Sequence, residues 1–147
     1  MERTGAVTFK GNKMTLLGSE VNVGDQAPDF TVLDGGLQPV KLSNFKGQIV
    51  VLSVVPSLDT PVCELQTKRF NEEAGKLKAI VLTISMDLPF AQKRFCGSFN
   101  ISNLTTLSDY KDRDFARAFG LLIKELGLLA RAVFVIDKDG KIAYQMS

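Results

Sequence analysis

The chain has 147 residues, 45% of them hydrophobic and 23% charged, which fits one globular domain with a sizeable core. A net charge of +2 with scattered basic residues argues against a nucleic-acid or membrane surface, and no apolar run is long enough to span a bilayer. With no histidine in the chain, Cys-His and Ser-His nucleophilic pairs and imidazole acid–base chemistry are excluded, and the two cysteines, Cys63 and Cys96, are too few for the usual structural zinc site.

The N-terminus, Met1-Glu2-Arg3-Thr4-Gly5, has no apolar signal-peptide core, so a cytoplasmic location is expected. Val7-Thr8-Phe9 and Met14-Thr15-Leu16 flank Lys10-Gly11-Asn12-Lys13, which predicts a β-hairpin. Residues 23–29 read as a loop, 30–33 as a strand, and 42–47 as a short helical turn. The run 48–55 is almost continuously apolar and β-branched, the pattern of a central strand covered on both faces. Pro56 ends it. A helix is predicted from Pro61 to about Ala74, with Pro61 near the first turn, where a missing N–H costs least. A second buried strand covers 78–85, and a short helix at 89–95 carries Cys96 near its end. A shorter strand at 104–108, a helix at 112–119 stopped by Gly120, and a closing hairpin of 131–136 and 141–144 around Asp139-Gly140 complete the order. Alternating strands and helices with an antiparallel end predict an α/β three-layer sandwich, a mixed central sheet flanked by helices.

The chemistry concentrates in Pro56-Ser57-Leu58-Asp59-Thr60-Pro61-Val62-Cys63. A buried strand delivers the chain into a loop, and a helix follows at once. Cys63 then falls in the first helical turn, where unpaired N–H groups and the macrodipole favour a thiolate. Thr60 can turn its hydroxyl toward the sulfur or a bound oxygen, and Pro56 and Pro61 stiffen the loop. On position alone, Cys63 reads equally well as a small buried hydrophobe. Arg131 alone reads as a solvated cation at a strand edge.

Pro56, Thr60 and Cys63 reproduce the Pro-x-x-x-Thr-x-x-Cys pattern of peroxiredoxins. The fuller string PSLDTPVC resembles the bacterial thiol peroxidase subfamily, as do GDQAPDF, SMDLPFAQKRFC and ARAVFVIDKDGKI, all in the expected order. The similarity runs from about Phe9 to Tyr144. It implies a thioredoxin-like fold, which the element order fits without singling it out. It also implies roles. Cys63 would attack the peroxide and become a sulfenic acid, Thr60 would hydrogen-bond thiolate or peroxide, Arg131 would hold the thiolate anionic, and Pro56 would shield the sulfur from water. Cys96 would be the resolving thiol that closes an intramolecular disulfide, later reduced by thioredoxin. A homodimer is implied as well, and no cofactor or metal is expected. The subfamily continues past the final hairpin with a further helix, whereas this chain ends at Ser147, so a single domain over 1–147 without that helix is expected.

Three other readings remain open at this stage. A general thiol–disulfide oxidoreductase would share the fold, but such proteins usually carry Cys-x-x-Cys, and Gln66 stands at the second position. A redox sensor or chaperone-like binding protein could use the same two thiols. Metal binding through two thiolates is the weakest, since no histidine accompanies them.

Overall fold

A computed structural model describes residues 2–9, 11–74, 76 and 78–146. The chain opens on β1 (Glu2–Phe9) and β2 (Asn12–Leu17), paired antiparallel with Phe9 opposite Asn12. Both strands are longer than the alternation marks, and Lys10, the first residue of the expected turn, lies outside the described residues. β3 (Thr31–Leu33) pairs with β4 (Pro39–Lys41), a strand without an anticipating signal; a proline opens it, and it sits at the sheet edge, where a missing N–H is tolerated. A 3-10 turn at Leu42–Phe45 stands where a helical turn was expected.

The middle of the chain is β5 (Val50–Val54), α1 (Pro61–Ala74), β6 (Ile80–Ser85), α2 (Pro89–Ser98) and β7 (Thr105–Ser108). Every residue of β5 is buried, as its apolar run requires. Then come α3 (Asp114–Phe119), two very short strands, β8 (Leu122–Ile123) and β9 (Leu128–Leu129), and the closing hairpin β10 (Ala132–Ile136) and β11 (Ile142–Met146). Gly120 ends α3 in the left-handed region at φ 65, and a Cβ there would meet the Ser19 carbonyl oxygen at 2.4 Å, so no other residue fits.

Seven strands form the main sheet in the order β11-β10-β5-β6-β7-β3-β4. β5, β6 and β7 run parallel; the flanking strands pair antiparallel. α1 and α2 share one face over a cluster that includes Val51, Val55, Leu58, Cys63, Phe95 and Val133. On the other face, α3 and the small sheet β1-β2-β8-β9 enclose a larger cluster that includes Leu52, Val54, Leu82 and Leu107. Four phenylalanines knot that cluster: Phe30 and Phe115 at 4.9 Å between ring centroids, Phe115 and Phe119 at 4.7 Å, and Phe119 and Phe134 at 5.1 Å. The result is the expected α/β arrangement of a mixed sheet between two layers. No described helix is long and apolar enough to cross a membrane.

Candidate active site

The site forms where the parallel strands end. β5 delivers the chain into the loop that begins at buried Pro56, and α1 starts at Pro61. The Thr60 carbonyl accepts the first helical hydrogen bond, from Glu64 N at 2.9 Å, so Thr60 holds the N-cap position and Cys63 the third residue of the helix. Cys63 is fully buried. Its own carbonyl accepts the buried Thr67 hydroxyl at 2.8 Å, which ties the first turn to the second.

β10 pairs antiparallel with β5, with Ala132 opposite Val54. That register brings Arg131 to the carboxyl end of β5, although 68 positions separate it from Cys63 in sequence. Arg131 Nη2 donates to Cys63 Sγ at 3.2 Å, while the residue as a whole is exposed. A guanidinium donor at a sulfur is a charge-assisted contact. The half-buried Thr60 donates its hydroxyl to the Ser57 carbonyl oxygen at 3.1 Å, so its oxygen is left as an acceptor.

Cys96 lies on α2 and is half-buried, and both thiols are free. Its sulfur sits 3.6 Å from Thr106 Oγ1 on β7. Both cysteines touch the cluster beneath α1 and α2, yet each sulfur has its own partner and no bond joins them. The helices meet at their far ends. Lys68 Nζ sits 4.1 Å from the centre of the Phe99 ring, and Asn71 Oδ1 accepts Ser102 N at 3.1 Å and Asn103 N at 2.7 Å. Gln66 donates to the buried Ser53 hydroxyl at 2.9 Å and so packs α1 onto β5.

Several residues that sequence reasoning did not single out converge on the loop. The Asp87 carboxylate accepts Ser57 Oγ at 2.7 Å, Leu58 N at 2.7 Å and Ser85 Oγ at 2.8 Å. Ser85 Oγ in turn accepts Gln92 Nε2 at 3.0 Å, and Gln92 also donates to the Leu107 carbonyl at 2.8 Å. Asp87 stands two residues before Pro89, the first residue of α2, and an acidic residue just ahead of a helix that begins with proline was the one available signal.

The chain is similar to known proteins over most of its length. The model of the AhpC/TSA family matches residues 23–145. The chain is 58% identical over 139 residues to the thiol peroxidase of Bacillus subtilis (strain 168), covering 94% of this chain and 83% of that protein. It is 56% identical over 140 residues to the thiol peroxidase of Halalkalibacterium halodurans, covering 95% and 84%. Among solved structures, the peroxiredoxin-like protein from Aquifex aeolicus superposes with a TM-score of 0.89 at 52% identity, over 98% of this chain and 85% of that one.

Proposed function

The chain belongs to the AhpC/TSA family of peroxiredoxins and is a peroxidase; from that premise we propose that the Cys63 thiolate is its attacking group and Cys96 its resolving thiol. The observation that carries this reading is the Arg131 guanidinium 3.2 Å from the Cys63 sulfur in the first turn of α1.

The chemistry follows from that contact. The thiolate attacks the terminal oxygen of a hydroperoxide, hydrogen peroxide or an organic one, in line with the O–O bond. An S–O bond forms and the O–O bond breaks. The departing oxygen takes up a proton and leaves as water or an alcohol, and Cys63 becomes a sulfenic acid. Arg131 stabilises the thiolate before attack and the charge on the peroxide oxygens during it. Thr60, with its proton on Ser57, offers an acceptor to the O–H of the peroxide. Because Cys63 is fully buried while Arg131 is exposed, a small solute reaches the sulfur past the guanidinium. Buried Pro56 keeps water from the other side.

Cys96 then condenses with the sulfenic acid, releasing water and leaving a disulfide within the chain. A dithiol of the thioredoxin kind supplies two electrons and two protons to restore both thiols. Two free cysteines fit a reducing compartment, so a cytoplasmic setting is proposed. Val62, Leu65, Leu88 and Phe90 are exposed in the first turns of α1 and α2 or beside them, and they support a homodimer through this end of the domain.

The test is peroxide consumption with a thioredoxin system, joined to mass spectrometry after one equivalent of peroxide. The expected result is turnover in the wild type, no turnover in Cys63→Ser, and a Cys63–Cys96 bond within one chain. Reduction of insulin disulfides with little peroxide consumed would instead favour a thiol–disulfide oxidoreductase.

A further inference from the structure

The geometry points to Asp87 as a positioning residue: its carboxylate clamps the loop that carries Cys63 in the peroxide-reactive arrangement, and its release accompanies closure of the disulfide. This rests on the reading of Cys63 and Cys96 as a redox pair.

Three donors from two chain segments meet at this one side chain. Ser57 and Leu58 belong to the loop between β5 and α1, and Ser85 ends β6. All three donate to the two carboxylate oxygens, at 2.7, 2.7 and 2.8 Å. The chain of bonds runs on in both directions. Toward the attacking sulfur, Ser57 accepts the Thr60 hydroxyl through its carbonyl at 3.1 Å, and its own hydroxyl accepts Asp59 N at 3.1 Å. Thr60 is the N-cap of α1. Toward the resolving sulfur, Ser85 Oγ accepts Asp87 N at 3.2 Å and Gln92 Nε2 at 3.0 Å, and Gln92 lies one turn before Cys96 on α2. The Asp87 carbonyl accepts the Ser108 hydroxyl of β7. One residue therefore links the cap of the first cysteine helix to the entrance of the second.

Two demands on the loop conflict. Attack on peroxide needs Cys63 held under Arg131. Disulfide closure needs the two Cα atoms within about 7 Å with matching Cβ directions, and here each sulfur is held by a different partner. In closure the sulfenic acid of Cys63 and the thiol of Cys96 form an S–S bond, and the hydroxyl leaves with the thiol proton as water. That step moves the first turn of α1, α2, or both. The hydrogen bonds to Asp87 resist such movement, so they favour attack and oppose closure.

Asp87→Asn preserves volume but sets an amide N–H₂ against converging donors, so part of the clamp is lost. In a Cys96→Ser background, single-turnover oxidation of Cys63 by hydrogen peroxide should slow by roughly tenfold or more, since charge-assisted bonds of this kind are worth that much. With Cys96 present, the step from sulfenic acid to disulfide should accelerate several-fold, and less sulfinic acid should form at high peroxide. A purely structural role would slow both steps together. Ser57→Ala removes one of the three donors and should move both rates in the same opposite senses by about a third of that effect on a logarithmic scale if the bonds contribute equally. Unchanged oxidation in Asp87→Asn, or parallel slowing of both steps, overturns the proposal. If Asp87→Asn does not fold, unchanged rates in Ser57→Ala overturn it. If the wild type forms no Cys63–Cys96 bond, the redox-pair reading fails and the release role with it, while the oxidation rate alone still decides whether Asp87 positions the loop.

Discussion

Arg131 combines two features that rarely coincide, exposure to solvent and a hydrogen bond to a fully buried sulfur. Exposure means that its removal costs little stability, so its effect on rate can be read cleanly. Arg131→Ala should lower the rate of Cys63 oxidation by about 10²-fold or more, the usual loss when one preorganised donor to developing charge is deleted. Arg131→Lys keeps the charge but loses the planar fork, and should recover only part of that loss. Stopped-flow oxidation with a parallel urea melt separates the two, because the melting curves should overlay. Pro56, Thr60 and Cys63 were singled out by one spaced motif, and Arg131 and Cys96 only by the resemblance of the strings around them; on position alone Cys63 reads equally well as a small buried hydrophobe and Arg131 as a solvated cation. Asp87 was not singled out. Its importance lies in partners 29 and 30 positions away, and an Asp just ahead of a proline-started helix signals a helix start but not those partners.

At the scale of elements, α3 shows how a helix can be capped from elsewhere. Arg113 occupies its N-cap in the left-handed region at φ 52 and gives no side-chain bond. The first-turn amides are taken by buried Asp109, which accepts Phe115 N at 3.1 Å and Ala116 N at 2.8 Å. Burial pushes the Asp109 carboxyl up from 3.8 to about 6, against the lowering effect of those two N–H groups. A carboxyl raised on folding favours the folded state while protonated. Its contribution is therefore complete below pH 3.8 and is lost as pH rises through about 6, a span worth roughly 3 kcal/mol. Asp109→Asn keeps an acceptor without the charge and should flatten this slope, so its stability relative to wild type should improve between pH 4 and pH 7 in urea titrations. The long elements β5, α1 and β6 were legible because burial on both faces, or a proline at a helix start, leaves a clear pattern. β8 and β9 were not, since two leucine-rich residues apiece carry no alternation, and their pairing with each other and with β2 is a tertiary fact. α2 runs three residues beyond the predicted end, through Gly97, because its buried face continues to Phe95 and the Phe99 N–H closes on the Phe95 carbonyl.

For the whole molecule, the two faces of the sheet have different duties. Amide exchange compared between reduced and peroxide-treated protein should rise on oxidation in residues 57–63 and 89–98 and stay constant in β5, because closure disturbs the helices and leaves the central strand buried. A rise in β5 as well would mean that the domain opens globally. The same division matters to anyone who wants a more heat-resistant version. The phenylalanine knot around α3 lies across the sheet from both thiols, so filling or tightening it should raise the melting temperature with catalysis untouched. Tightening the cluster beneath α1 and α2 would raise it too, but at the expense of turnover. In this fold, evolution can trade robustness against speed on one side of the sheet and gain robustness freely on the other.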